Sequence, residues 1–198
     1  MTRRARTALA LSAALAADVA RADPRAELLD RDAAHAELWW VSFTGVYTAA
    51  ALVQTGLALG ATNADDRVDQ IVGAASAWLG VGSQLVLSPI PEVWRASTYA
   101  RRTGRLDEAL SRALRAESEA RAWYNHAACT AVAIAAGATL WLGFDHVETA
   151  ILNAASNLVI GELNLFTQPA RVLRNAQRGG VAWRLAPMTN GVSWVAVW

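Results

Sequence analysis

Three stretches of this chain contain no Asp, Glu, Lys or Arg: 27 residues from Leu38 to Ala64, 22 from Gln70 to Pro91, and 23 from Ala122 to Phe144. A helix needs ~20 apolar residues to cross the ~30 Å hydrocarbon layer of a bilayer. Each run meets that length. A soluble all-α domain is the competing fold, but 198 residues leave little chain to bury three such runs. A fourth segment, Val147 to Gln168, is interrupted by Glu162 and reads as a span from its position after the third.

Composition excludes other classes. Apolar residues make up 54% of the chain and charged ones 18%, against roughly 25% charged in an average soluble domain. The 18 basic residues are all Arg, and 17 Asp and Glu bring the net charge to +1. A nucleic-acid binder needs a basic stripe that this balance does not supply. Disorder needs lower hydrophobicity and higher net charge. A single cysteine, Cys129, excludes an intramolecular disulfide and a multi-cysteine metal site.

The expected fold is therefore an all-α membrane protein with four transmembrane helices, built as two tandem helical hairpins and closed by a short C-terminal β-hairpin. The segments are 23–37 (a polar lead-in), 38–90 (the first hairpin), 91–122 (charged connecting helices), 123–168 (the second hairpin) and 169–198 (an Arg-bearing helix and the tail). A shift of 79 residues, the distance from Asp66 to Asp145, relates the hairpins. Asp66-Arg67-Val68-Asp69 then matches Asp145-His146-Val147-Glu148, and Val93 and Arg95 match Val172 and Arg174. Pro89, Pro91 and Pro169 fall where spans should end, because proline lacks an N–H and clashes with the preceding turn. Such a parallel repeat has its axis along the membrane normal.

Side-chain chemistry fits this plan. Trp39, Trp40, Trp94, Trp123 and Tyr124 sit at span ends on one face, at headgroup level where amphipathic rings are favoured. Trp78 falls mid-span and reads as packing. Gly56, Gly60, Gly73, Ala77 and Gly80 are candidate helix-packing positions, since small residues let backbones approach in lipid. Arg105 to Arg121 reads as a solvated helix with an apolar stripe of Leu106, Leu110, Ala113 and Leu114. Its opposite charges pair at i, i+4: Glu108 with Arg112, Arg115 with Glu119, Glu117 with Arg121. In the tail, Asn190-Gly191 marks a hairpin turn. Val192, Trp194, Ala196 and Trp198 would share one face of the second strand. That ending resembles the terminal strand of outer-membrane barrels, which would imply a sorting signal and not a barrel.

Candidate chemistry is sparse. Asn153, Asn157 and Asn164 lie close together on the helical wheel, with Ser156 beside them. They form a polar intramembrane stripe with Glu162 as the acid of that span, pointing about the opposite way. Such groups in hydrocarbon are functional candidates by default, while interhelical hydrogen bonding is the plainer role. His35 and His126 lie at one face and His146 at the other, so a bis-histidine haem is a remote prospect. Cys129 reads as a small core residue. No catalytic motif is present, so no catalytic residue, metal or cofactor is expected. The expected role is non-enzymatic: scaffolding or assembly in a bacterial cell envelope, with the lipid bilayer as solvent and a homo-oligomer or envelope protein as partner. A transporter or channel subunit using the polar stripe is the alternative.

Residues 1–22 have the layout of a signal peptide. Arg3, Arg4 and Arg6 precede an apolar core from Thr7 to Ala17, and Ala20 and Ala22 give small residues before Asp23. The positive-inside rule would place the Arg-rich segments in the cytoplasm, whereas a cleaved signal places them and both termini in the periplasm. The Arg-rich side is also much the longer one, so the signal decides. Mass spectrometry of the mature chain should find an N-terminus at Asp23; a peptide retaining Arg3 to Arg6 would reverse the assigned sidedness.

Overall fold

The computed structural model describes residues 23–178, together with the backbone of 182–188 and 191–197. Residues 23–178 are helical: α1 (Pro24–Gly60), α2 (Ala64–Gly82), α3 (Pro91–Thr103), α4 (Leu106–Ala120), α5 (Trp123–Phe144), α6 (Val147–Phe166) and α7 (Arg171–Arg178). A π-turn, Ser83–Leu87, follows α2. Beyond α7, the backbone of Ala182–Met188 and Gly191–Val197 is extended. Residues 1–22, Asn190 and Trp198, on which the signal peptide, the turn and the shared face depend, lie outside the described residues.

Local sequence sets the helix ends. Asp23 caps α1 by accepting from Arg25 N–H at 2.9 Å, and Pro24 occupies the first turn, where no N–H is needed. Asn63 caps α2 through Asp66 N–H at 2.7 Å. Pro91 opens α3, and Gly104 ends it at φ 70°, in the left-handed conformation glycine adopts without strain. Asp145 (φ 60°) turns α5 back into α6. Its N–H bonds Trp141 O, and that of His146 bonds Leu140 O.

α1 runs unbroken for 37 residues, so its polar first third is continuous with the first span. Three helical stretches are long and apolar enough to cross a membrane, within Pro24–Gly60, Ala64–Thr103 and Leu106–Phe144. Few residues of their apolar windows are buried within the protein: Leu59, Val86 and Leu142 are 82%, 80% and 78% exposed. This outward apolar surface points to association with a membrane. The segment with Glu162 is a 20-residue helix, α6, lying along α5, and is not among the three.

At one end of the bundle the first third of α1 meets α3, α4 and α7 in a cap with a water-soluble type of core. Leu29, Ile90, Val93, Leu110, Leu114 and Val172 are each nearly or fully buried there. The apolar stripe of α4 thus docks on the chain's own helices. Its Glu108 pairs with Arg112 as the spacing implies. Glu117 is a correction: it makes no surface pair with Arg121 but is fully buried.

Aromatic positions differ in part from the interfacial expectation. Trp123 and Tyr124 are exposed at the start of α5, as headgroup anchors would be. Trp39 is buried, its indole N–H donating to Thr167 Oγ1 at 3.0 Å, and Trp40 donates to Gln84 O at 2.9 Å. These two seam the cap to the spans. Trp78, expected to pack, is 44% exposed and reaches Thr55 Oγ1 at 3.3 Å.

The small residues divide. A Cβ on Gly80 would lie 2.5 Å from the Tyr47 ring, Gly73 sits under Gln54, and Ala77 is buried. These three do pack α2 on α1. Among the described residues nothing packs against Gly56 or Gly60, which face open space. Accordingly, Gly80→Ala should destabilise the protein by ~1–3 kcal/mol in detergent unfolding, whereas Gly56→Ala should leave the midpoint unchanged. Leu110→Ala should cost ~2–5 kcal/mol by opening a cavity in the cap.

Candidate functional site

The two hairpins do not close tightly on each other. Between α1, α2 and α6 lies a groove of about 270 Å³. Polar side chains from all three helices reach it, among Ala50, Ala77, Leu152 and Ile160. α6 contributes Thr149, Asn153, Ser156 and Asn157, α1 contributes Tyr47 and Gln54, and α2 contributes Asp69 and Gln70. A roomier cavity of about 380 Å³ lies near the α1–α2 turn, but Ala58, Leu59, Ile71 and Ala74 dominate its walls. Its polar lining is Thr55 and Arg67, and Arg67 already donates to Ala61 O at 2.8 Å. The smaller cavity has the recognition chemistry.

The structure brings three of the α6 positions together. Asn157 Nδ2 donates to Asn153 Oδ1 at 2.7 Å, and Ser156 faces the same groove. Among the described residues Gln54 Oε1 is buried against Gly73 without a hydrogen-bond partner. The carboxamides and hydroxyls that line the groove offer donors and acceptors. The α1 and α2 contributors escaped the sequence reading, although Tyr47 and Gln54 are seven residues apart, on one helical face. Gln70, Gly73 and Ala77 repeat that face on α2.

Asn164 and Glu162 lie elsewhere. Asn164 is buried and does not line the groove, and its Nδ2 has no partner among the described residues. Glu162 bonds His126 Nδ1 at 2.8 Å, tying the end of α6 to the start of α5. His126 is thereby a structural partner, as is Cys129, packed against Gly161. Among the described residues no three His, Cys, Asp or Glu side chains gather as a metal site.

At the groove's mouth Asp69 bonds His146 Nδ1 at 2.6 Å, with Asp65 at 3.7 Å from Nε2. This contact joins α2 to the α5–α6 turn. The hydrogen bond to Asp69, reinforced by the charges of Asp69 and Asp65, raises the His146 pKa above the ordinary imidazole value.

The second polar cluster is in the cap. Asp32 and Glu117 are both fully buried and reach the start of α7. Asp32 Oδ2 accepts from Arg171 N–H at 3.0 Å and Val172 N–H at 3.1 Å, and Glu117 Oε2 accepts from Leu173 N–H at 2.7 Å. Burial, and then the neighbouring Asp32 carboxyl, push the Glu117 carboxyl far above the usual range. The pattern carried a signal: Leu106, Leu110, Ala113, Leu114 and Glu117 share one stripe, and Leu29, Asp32, Ala33 and Ala36 share another. An acid on a buried stripe is a paired acid.

No protein-family model, curated protein or solved structure matches this chain. Its chemistry is accordingly read from its own residues.

The His146 shift has a defined sign. A raised imidazole pKa stabilises the fold fully below the ordinary histidine value and is lost as pH rises through the raised one. Thermal midpoints should therefore fall as pH rises through that step in the wild type. The step should be absent in His146→Gln; its persistence there would assign it to another group.

Proposed function

We propose that this is a non-enzymatic, multi-pass membrane protein whose two hairpins form a binding or passage site for a small uncharged polar solute, as a transporter or channel subunit would. The groove carries this reading: about 270 Å³ lined by Gln54, Gln70, Asn153, Asn157, Ser156 and Thr149. Polar side chains at membrane depth line cavities or join helices. Here they surround open volume, and at the mouth Asp69 is paired with His146. A neutral hydrogen-bonding solute matches that surface better than an ion.

The proposal includes four spans, with α6 as the fourth, two repeated hairpins, a closing β-hairpin, and a bacterial envelope location with periplasmic termini. The recurrence of hairpin, proline and Arg-bearing helix in α3 and α7 supports the repeat. The clustering of every arginine of residues 23–178 except Arg67 on the cap helices fits a single sidedness. An assembly role remains a second reading, favoured by Gly56 and Gly60, which leave an open small-residue face on α1 for another helix.

Cysteine accessibility tests the groove. In a Cys129→Ser background, Asn157→Cys and Gln54→Cys should react with a membrane-impermeant thiol reagent. Ile134→Cys, on an exposed apolar face of α5, should not. Proteoliposomes should show glycerol or urea flux that Asn157→Leu reduces at least several-fold. Unreactive cysteines at both groove positions, with no flux, would leave the assembly reading in possession.

A further inference from the structure

Helix α7 has only eight residues. An isolated helix of that length does not form in water, because nucleation costs more than one or two turns return. Its first N–H groups lack local partners. They are satisfied by side chains from far away in sequence: Asp32, on α1, takes two, and Glu117, on α4, takes the third. Val172 and Ala176 then bury one face of α7 against the cap. The helix is held by two acids and two apolar side chains.

Both acids are fully removed from water. Their remaining oxygens, Asp32 Oδ1 and Glu117 Oε1, have no donor among the described residues. Two adjacent ionised carboxylates in such a place repel, whereas one proton between them satisfies both oxygens. The start of a helix favours one negative charge, not two. Asp32, with two N–H donors, is suited to hold the charge, and Glu117 to hold the proton.

We propose that the Asp32–Glu117 pair is a proton-operated latch for α7: with one shared proton it fastens the helix to the cap, and loss of that proton releases α7 and the tail it carries. Arg121, at the end of α4, is close enough to Arg174, on α7, and to both acids for their charges to act on it. Arg121 is engaged in donating to Gln168 O at 2.7 Å. One turn along α1 is His35. On α3, Arg95 and Arg101 are committed to Glu92 and Asp30. The raised Glu117 pKa sets the sign: the latch is fully made below the ordinary carboxyl range and is lost as pH rises through the raised value.

Hydrogen exchange of the full chain in detergent or nanodiscs, corrected for intrinsic rates, reads the latch directly. Between about pH 6 and about pH 10, the amides of 171–176 should lose protection by roughly tenfold or more, while those of α1 and α4 stay protected. Glu117→Gln replaces the proton-bearing oxygen by an amide donor and should abolish the step. Should that variant fail to fold, Asp32→Asn serves equally, since the pair then never carries two charges. Unchanged protection in the wild type, an undiminished step in a folded variant, or loss of protection throughout the cap at the same pH would each overturn the proposal.

Discussion

Hydrocarbon as solvent is the constraint on which this architecture rests. The long helices bury little of their apolar surface against one another, and the leucines, valines and tryptophans they turn outward have no counterpart in a water-soluble bundle of this size. With hydrocarbon around the middle of the bundle, charge is driven to its ends. One end carries short acidic turns, and the other carries α3, α4, α7 and the start of α1. The molecule therefore has two kinds of interior. The cap is sealed by the exclusion of water from Leu29, Ile90, Leu110 and Leu114. The long helices are held by close approach at Gly73, Gly80 and Gly137, whose missing side chains leave room for Gln54, Tyr47 and the Ala150–Ala154 turn of the facing helices.

Much of this arrangement could be read from residue order, and the failures share a physical origin. Absence of charge marks a lipid-facing run without knowledge of neighbours, so the helices and their approximate ends were legible. What a helix meets on its far side is not local. Gly56 and Gly73 look alike in sequence, yet one faces open space and the other Gln54. Trp39 resembled an interfacial anchor until Thr167 was found beside it. Glu117 and Arg121 had the spacing of a surface pair, and only the docking of α4 shows that the acid turns inward. The groove was half legible: α6 announced its asparagines, but its opposite walls are single polar residues dispersed through α1 and α2.

The cap and the groove meet through α6. Its first two-thirds line the groove, and its final turns carry Glu162, Asn164 and Thr167 to the junction with α1 and α5. Polar groups of α6 thus extend along most of its length, whereas α5 beside it is Ala-rich. That contrast separates the element that contacts solute in the proposed role from the one that supports it.

The unbroken course of α1 has a mechanical consequence. At 1.5 Å per residue its 37 residues make a rod of roughly 55 Å, with one end in the groove wall and the other in the sealed cap. Tyr47 and Gln54 are carried on the same shaft as Asp32. Tilting within the bilayer is then felt as leverage on the far end, because no hinge intervenes to absorb it.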